Sequence, residues 1–200
     1  MTKFADMTVA QLLAALASSD PTPGGGTAAA ISGAMGTSLL VMVSGLAKSK
    51  NNLDDEKAAL GAAKSALEPV SSRLMELADA DTRAFNDVIA AYRLPKATDQ
   101  EMAARTTAIQ TALRGATEIP LETLRACANA LAHSRPVADC GNPSAASDVG
   151  VAIGLLRAAA EGAAANVRIN LTGLKDEAFT TVTEAETARL LAAAAGHQTR

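Results

Sequence analysis

A stretch without any charged residue, from Pro21 to Ala47, limits what this 200-residue chain can fold into more than any other feature. Its expected helix, 28–47, is long enough to cross a bilayer. It is rich in alanine, however, and also carries serine, threonine and glycine, which is typical of a helix buried on all sides in a soluble bundle. We therefore expect a central buried helix. Gly33 and Gly36 would let another helix approach closely, within the chain or across a subunit interface.

The composition requires a core made of aliphatic side chains. Aromatic residues make up 2% of the chain and tryptophan is absent, whereas 48% of the residues are hydrophobic. Alanine, leucine, valine, isoleucine and methionine favour helices packed at short distance, and we find no convincing β-alternation and no repeat. We predict an all-α fold, an up-and-down bundle of long helices, in one domain covering residues 1–200.

Two capping boxes predict where helices begin. Gln11 follows Thr8 by three residues, and Glu101 follows Thr98 by three, so each pair can satisfy the free N–H groups of a first helical turn. The helix that begins at Thr98 is expected to end at about Thr117.

Prolines are expected to mark the boundaries between helices in the middle of the chain. Pro69 suits either the first turn of a new helix or a kink in a helix that begins near residue 54. This helical region is expected to continue to about Tyr92. Pro120 is expected to begin another helix, which ends near 134–136.

The C-terminal third is predicted to contain two helices. Residues 140–144 are predicted to form a loop, after which Ser144 or Ser147 caps a long helix that runs to about Leu171. A last helix is expected over 176–195.

Charge and cysteine content exclude several function classes. A net charge of -3 and the scarcity of aromatic residues argue against a nucleic-acid-binding protein. Cys127 and Cys140 form no metal-type pair, and His133 and His197 are far apart, so we expect no metal site. Reduced thiols and the lack of a signal-peptide pattern favour a cytoplasmic protein rather than a membrane protein.

The segment 20–27, Asp-Pro-Thr-Pro-Gly-Gly-Gly-Thr, is the strongest candidate for a binding site. Glycines allow a ligand to approach the backbone, and a helix N-terminus offers free N–H groups and partial positive charge. The segment therefore predicts a cradle for an anionic or polar ligand. A turn that only begins a helix has the same pattern.

Two aspartates are candidates for chemistry. Asp148 is expected in the first turn of an otherwise apolar helix, where it is either functional or a partner of the helix dipole. Asp81 shares a helical face with Phe85, although it would equally suit a solvated position.

Amides and lysines supply further candidates. Asn166 and Asn170 are four residues apart and share a face, so they would hydrogen-bond either a flat heterocycle or a buried backbone group. Lys48 and Lys50 follow the central helix, where cations complement a helix C-terminus. Lys96 follows a helix break, where a loop can place it in a site.

Together, these segments make the chain similar to the cyclodeaminase/cyclohydrolase family of folate enzymes. The similarity covers nearly the whole chain and rests on these segments in this order: Pro21-Thr-Pro-Gly-Gly-Gly26, Asp81-x-x-x-Phe85, Leu94-Pro95-Lys96, Gly141-Asn142, Ser147-Asp148-Val149-Gly150-Val151 and Asn166-Val167-Arg168-Ile169-Asn170.

The resemblance implies a helical homodimer that acts on a tetrahydrofolate derivative, with or without a polyglutamate tail, and needs no metal or other cofactor. The expected reaction is hydrolysis of 5,10-methenyltetrahydrofolate to 10-formyltetrahydrofolate. The alternatives are a 5-formiminotetrahydrofolate cyclodeaminase, which releases ammonia, and a non-catalytic folate-binding helical protein. No nucleic acid or membrane partner is expected.

The resemblance also implies roles for individual residues. Asp148 or Asp81 would be the catalytic carboxylate, and Lys48 or Lys96 would donate a proton or hold the glutamyl tail. The expected substrate-binding residues are Pro23, Gly24, Gly25, Gly26, Lys50, Phe85, Asn142, Ser147, Asn166 and Asn170.

The chain departs from the family pattern after its first long helix. Family members often have a lysine-rich stretch there that ends in tyrosine, whereas this chain reads Lys48-Ser49-Lys50-Asn51-Asn52. No formiminotransferase part is present in these 200 residues, so transfer from formiminoglutamate is not expected of them.

Overall fold

The computed structural model describes residues 3–46 and 53–196, and every regular element in these ranges is helical. Short 3₁₀ turns cover Phe4–Asp6 and Pro143–Ala145. The α-helices are α1 (Val9–Leu16), α2 (Gly25–Gly45), α3 (Asp54–Tyr92), α4 (Asp99–Ala132), α5 (Ser134–Cys140), α6 (Ala146–Leu171) and α7 (Glu177–Ala195). The prediction of an all-α bundle of long helices is confirmed.

Four helices surround the main core in an up-and-down arrangement. α2 packs against α3 and α6, and α4 closes the ring by packing against the same two helices. Residue pairs across each contact show that neighbours run antiparallel: Thr27 meets Asp81 at one end of the α2–α3 pair, and Ser38 meets Ser71 nearer the other. α7 covers α4 and α6 from outside.

Glycines allow α2 to lie close to both of its neighbours, as the sequence predicts. A Cβ atom at Gly33 would lie 2.9 Å from the sulfur of Cys127 on α4 and 3.3 Å from Leu74 on α3. A Cβ atom at Gly36 would lie 2.8 Å from the backbone oxygen of Ala152 on α6. The distances of 2.9 Å to Cys127 and 2.8 Å to Ala152 are too short for a real Cβ, so the packing of α2 favours glycine at these two positions.

The α3–α4 hairpin extends past the N-terminus of α2. α3 has 39 residues and α2 has 21, which correspond to lengths of about 58 Å and about 31 Å. The extension has a small core of its own, formed by Ala91, Ile109 and Leu113. The face of α3 that contacts α2 lower down therefore continues beyond the point where α2 begins.

Pro69 neither begins a helix nor ends one, because α3 continues through it. The carbonyl group left without its usual N–H partner belongs to Ser65, and both residues are exposed. Water can therefore replace the missing hydrogen bond.

Pro120 was expected to begin a new helix, and this prediction is wrong, because α4 is continuous from Asp99 to Ala132. Pro120 cannot donate to the carbonyl of Ala116, which is buried. The side-chain amide of Asn170 on α6 donates to that carbonyl at 2.7 Å and takes the place of the missing backbone bond. A side chain 50 residues away in sequence thus keeps α4 intact.

The chain between α4 and α6 also differs from the prediction. Residues 134–140 form the additional short helix α5, with Pro136 in its first turn, where proline is well tolerated. Neither Ser144 nor Ser147 caps α6, whose N-cap is Ala145. A 3₁₀ turn leads directly into α6, and the side chain of Asn142 caps that turn by accepting from the N–H of Ser144 at 3.0 Å.

Among the described residues, one helix is long and apolar enough to cross a membrane by length and composition, and it is α2. About 61% of its most apolar window is buried inside the bundle. This burial is what the sequence predicts for the central helix of a helical bundle.

The coupling between Pro120 and Asn170 predicts a non-additive pair of substitutions. Asn170→Ala leaves the buried carbonyl of Ala116 unpaired and should lower the free energy of unfolding by about 1–3 kcal/mol. In a Pro120→Ala background the backbone N–H of residue 120 can bond this carbonyl, so Asn170→Ala should cost clearly less. Urea unfolding of the four proteins tests this, and equal costs in both backgrounds would contradict the role given to Asn170.

Candidate functional site

The glycine segment forms the beginning of α2 rather than a loop in front of it. Gly24 is the N-cap, with an extended backbone and no side-chain cap, and Gly25 and Gly26 lie in the first turn. Within the described chain no glycine has a positive φ. Conformational freedom therefore does not explain this run of glycines, and close approach of neighbouring groups does.

The group that approaches is the carboxylate of Asp81 on α3. A Cβ atom at Gly26 would overlap this carboxylate, at 2.7 Å from Cγ and 2.8 Å from Oδ2. The hydroxyl of Thr27 donates to Oδ2 of Asp81 at 2.9 Å, and the backbone of Thr27 also hydrogen-bonds the carboxylate. Asp81 thus caps the N-terminus of α2 from a neighbouring helix.

The hydroxyl of Thr82 hydrogen-bonds Thr27 and so supports its contact with Asp81. The hydroxyls of Thr27 and Thr82 are 3.2 Å apart, and both residues are buried. Because Thr27 Oγ1 donates its proton to Asp81, Thr82 is the donor between the two threonines. The carboxylate therefore stands at the end of a short chain of hydroxyl groups that fixes its orientation.

Burial raises the pKa of Asp81 above the usual value for an aspartate. The hydrogen bonds from the hydroxyl and the backbone of Thr27 stabilise the anion and oppose this shift, but they do not cancel it. A carboxyl group that is fixed in place and has a raised pKa is suited to accept a proton and return it.

α6 forms the other side of the site. A Cβ atom at Gly25 would lie 3.8 Å from Nδ2 of Asn166, so this amide lies beside the first turn of α2. The same Nδ2 donates to the backbone oxygen of Gly162 at 2.8 Å. Among the described residues no donor reaches the amide oxygen of Asn166, which leaves that oxygen as an acceptor at the surface of the site.

The structure brings together one group of the predicted site residues. Asp81 on α3 lies against Gly26 on α2, Asn166 on α6 lies beside Gly25, and Phe85 lies one turn beyond Asp81 on α3. Pro23 directly precedes the N-cap of α2. Asn170 lies one turn beyond Asn166, but its amide serves the carbonyl freed by Pro120.

A second group lies at the other end of the bundle. Asp148 is in the first turn of α6, as predicted, next to the exposed Ser147. Eighteen residues of helix separate Asp148 from Asn166, which corresponds to about 27 Å. Asp148, Ser147 and Asn142 therefore do not share a site with Asp81 within one protomer.

The predicted lysines do not join Asp81 in the described structure. Lys96 is exposed in the connection between α3 and α4, beyond the end of α3 at Tyr92. Eleven residues of helix, about 17 Å, separate Asp81 from Tyr92. Lys48 and Lys50 lie outside the described residues, so their roles stay predictions.

Two cavities of one protomer do not include Asp81 in their walls. A cavity of about 570 Å³ lies between α5 and the beginning of α6, with Asn142 in its wall. A groove of about 530 Å³ lies between the extended ends of α3 and α4. Neither is lined by Gly26, Asp81 or Asn166.

Thr27 ends the predicted segment 20–27 but was given no role of its own, and Thr82 was not predicted from the sequence. Both read as ordinary helical threonines, and their role follows only from the contact between α2 and α3. Three-residue groups of histidine, cysteine, aspartate or glutamate placed to hold a metal ion are absent from the described part of the chain. Burial raises the pKa of the Cys127 thiol to about 12, so this thiol is an inert part of the core.

Comparison with known proteins finds similarity over most of this chain. The sequence model of the formiminotransferase-cyclodeaminase family matches residues 8–189. The chain is 44% identical over 172 residues to a methenyltetrahydrofolate cyclohydrolase from Methylorubrum extorquens, covering 86% of this chain and 83% of that protein.

A longer relative and a solved structure are also similar to this chain. A formimidoyltransferase-cyclodeaminase from Rattus norvegicus is 35% identical over 157 residues, which are 78% of this chain but 29% of the rat protein. The crystal structure of a formiminotetrahydrofolate cyclodeaminase from Thermotoga maritima has a TM-score of 0.85 and 28% sequence identity, covering 96% of this chain and 92% of that one.

The raised pKa of Asp81 predicts how Asp81→Asn affects stability. The folded protein holds the proton of Asp81 more tightly than the unfolded chain does, so ionisation of Asp81 lowers stability as pH rises through its folded-state pKa. Asp81→Asn cannot ionise and should be more stable than the wild type at pH 8, with a smaller difference or none at pH 4. Chemical unfolding at several pH values measures this.

Asp87→Asn is the matched control, because Asp87 is exposed on the same helix. A gain in stability of Asp81→Asn that is equal at all pH values would contradict the raised pKa.

Proposed function

The chain belongs to the formiminotransferase-cyclodeaminase family, and we propose that it hydrolyses 5,10-methenyltetrahydrofolate to 10-formyltetrahydrofolate in one-carbon folate metabolism. The similarity to the cyclohydrolase from Methylorubrum extorquens over most of both chains supports this choice of reaction. The observation that carries the mechanism is the half-buried carboxylate of Asp81, fixed between the N-terminus of α2 and the hydroxyl of Thr27.

Asp81 acts first as a general base. The substrate carries its positive charge over N5, the bridging methenyl carbon and N10, so a nearby carboxylate stabilises it electrostatically. Asp81 takes a proton from a water molecule as the water oxygen forms a bond to the methenyl carbon. The π electrons of the C–N bond move to nitrogen, which gives a neutral tetrahedral adduct.

Asp81 then acts as a general acid. It returns the proton to N5 while the bond between N5 and the bridging carbon breaks. The hydroxyl oxygen of the adduct forms the carbonyl of the 10-formyl group and loses its proton to water. The sum is one water consumed and one proton released, which balances the loss of the substrate's positive charge. These steps need no metal ion or other cofactor.

Neighbouring groups supply the contacts that orient the substrate. The amide oxygen of Asn166 accepts from an N–H group at the edge of the pterin, and the ring of Phe85 packs against an aromatic part of the substrate. Gly25 leaves space for the ligand at the first turn of α2. Lys96, exposed beyond the end of α3, would hold the negatively charged glutamyl tail or its polyglutamate extension in this proposal.

A second candidate reaction uses the same carboxylate. In a 5-formiminotetrahydrofolate cyclodeaminase, N10 attacks the formimino carbon and ammonia leaves, so Asp81 would transfer a proton from N10 to the leaving nitrogen. The structural similarity to the cyclodeaminase from Thermotoga maritima favours this alternative.

We also propose that the protein is a cytoplasmic homodimer with no nucleic-acid or membrane partner. The buried, reduced thiol of Cys127 supports a reducing compartment. The net charge of -3 supports the lack of a nucleic-acid partner. The burial of most of α2 supports a protein outside the membrane, and the uncharged exposed side of α2 supports a dimer.

The test is the loss of near-ultraviolet absorbance of 5,10-methenyltetrahydrofolate, compared with the spontaneous rate. We expect the protein to accelerate the reaction and Asp81→Asn to lower kcat by about 10²–10⁴-fold, because general acid–base catalysis is lost. Asp87→Asn, a substitution at an exposed position of the same helix, should leave kcat unchanged.

The other outcomes separate the alternatives. No acceleration, together with release of ammonia from 5-formiminotetrahydrofolate, would replace the first reaction with the second. Ligand binding without either turnover would identify a non-catalytic folate-binding protein. Full activity of both Asp81→Asn and Asp148→Asn would contradict the mechanism.

A further inference from the structure

The hydroxyl of Thr82 is directed away from its own helix. Three fully buried threonines elsewhere in the bundle, Thr37, Thr117 and Thr187, donate to the backbone carbonyl four residues earlier at 2.7–2.8 Å. Thr82 is 1% exposed and lies within α3, yet its hydroxyl faces Thr27 on α2 at 3.2 Å. Within the described ranges Thr27 is the one hydrogen-bond partner of this hydroxyl. The contact between α2 and α3, rather than the geometry of α3, therefore determines where it points.

Burial fixes the direction of the hydrogen bonds in this chain of hydroxyls. Among the described residues, the oxygen of Thr27 is the acceptor within reach of the hydroxyl proton of Thr82. Thr27 lies in the first turn of α2, so no helix carbonyl lies four residues before it, and its proton goes to Oδ2 of Asp81 at 2.9 Å. The order from Thr82 to Thr27 to Oδ2 gives every buried hydroxyl proton an acceptor.

The same order distinguishes the two oxygens of Asp81. A proton on Oδ2 would point at the oxygen of Thr27. The two hydroxyls would then have to accommodate three protons with two acceptor oxygens, so one buried proton would have no acceptor, whichever way the bond between the threonines ran. Oδ1 has no such restriction. Of the atoms around Gly26, Oδ1 is the one that a Cβ atom there would overlap most closely, so glycine leaves this oxygen uncovered by a side chain.

We propose that Thr82 is a positioning residue whose hydroxyl fixes the direction of these hydrogen bonds, so that Oδ1 of Asp81 takes the proton from water and returns it to N5. This inference rests on the proposed function for the reaction, but its structural part can be tested without turnover. Oδ2 stays bonded to Thr27 in both steps, which keeps the carboxyl group from rotating between them. The same oxygen therefore faces the substrate when the proton arrives and when it leaves.

Charged side chains around Asp81 leave this role to the threonines. α2 contains no aspartate, glutamate, lysine or arginine. In the described chain Asp81 forms no ion pair, and its ionisation responds to burial and to the hydrogen bonds of Thr27. The ionisable side chains at this level of the surrounding segments are Lys3, Asp6 and Asp20 before α2, Asp79 and Arg83 on α3, Arg114 and Glu118 on α4, and Glu161 and Arg168 on α6.

The first test measures the pKa of Asp81 without any substrate. Thr82→Val keeps the shape of the side chain but removes its hydroxyl, so Thr27 is held less firmly against the carboxylate. The pKa of Asp81 should rise above its wild-type value, and it should rise further in Thr27→Val, which removes the direct donor to the anion. NMR of the aspartate carboxyl carbons measures the titration, and the spectrum of Asp81→Asn identifies the resonance.

Two further variants separate positioning from a merely structural effect. Thr82→Ser keeps the hydroxyl and should restore the wild-type pKa of Asp81. Thr37→Val is the matched control, because it removes an equally buried hydroxyl of α2 that bonds only its own helix. It should leave the pKa of Asp81 unchanged, and circular dichroism checks that all variants are folded. A pKa that does not rise in Thr82→Val, or that rises as much in Thr37→Val, would overturn the role of Thr82.

The second test asks which oxygen carries the proton. The pH dependence of kcat/KM for 5,10-methenyltetrahydrofolate is measured for each variant and corrected for the spontaneous rate. If Oδ1 carries the proton, Thr27→Val and Thr82→Val should move the acidic limb of the profile to higher pH. The rate on the plateau above this limb should stay within about tenfold of the wild type, because the reacting oxygen is still present.

A Thr27→Val variant as inactive as Asp81→Asn at every pH would show that the proton passes through Oδ2 and the hydroxyls, and would overturn the assignment to Oδ1. Profiles identical to that of the wild type in both variants would overturn the positioning role. If the wild-type protein turns over neither folate substrate, the proposed function fails and the assignment of Oδ1 fails with it. The NMR titration still decides in that case whether Thr82 controls the ionisation of Asp81.

Discussion

The close approach of helices to α2 is the constraint on which the rest of this structure depends. Gly33 and Gly36 let α3, α4 and α6 pack against α2 at distances that a Cβ atom would prevent. Gly26 extends the same principle to the site, because it lets the carboxylate of Asp81 reach the first turn of α2. Packing and chemistry thus depend on one property of one helix, the presence of glycine at the positions where its neighbours come closest. A bundle with larger residues along α2 would keep its topology but would not place this carboxylate against a helix N-terminus.

Much of the fold can be predicted from the sequence, because its signals are local. The capping boxes at Thr8 and Thr98 are present as predicted, and the uncharged stretch forms the central helix. The prolines were harder to interpret, since the cost of proline within a helix depends on what happens to the carbonyl it leaves free. At Pro69 that carbonyl faces solvent, and at Pro120 it meets the amide of Asn170. The hydrogen bond from Asn170 cannot be predicted from the sequence around Pro120, because the two residues are 50 positions apart.

The site was only partly predictable for a related reason. Asp81, Phe85, the glycines and Asn166 were named from motif positions, and the structure brings Asp81 to Gly26 and Asn166 to Gly25. The motifs do not show which residues are near one another, so Asp148 and Asp81 were treated as alternatives for one role, although about 27 Å of helix separates their ends of the bundle. Thr82 carries no sequence signal, and Thr27 was named only as the last residue of the segment 20–27, because buried threonines are common in helices that pack closely. Their function exists only through the contact between α2 and α3.

The burial of Asp81 links the stability of the protein to the proposed reaction. A carboxylate that loses contact with water is costly to ionise, and the hydrogen bonds of Thr27 offset only part of this cost. A cationic substrate changes the balance, because a positive charge next to Asp81 stabilises its ionised form and lowers its pKa. Substrate binding would therefore prepare the base for the first proton transfer. Formation of the neutral adduct removes that positive charge, so the pKa of Asp81 rises again while the carboxyl group holds the proton. The charge of the substrate itself would then set when Asp81 keeps its proton and when it gives the proton up.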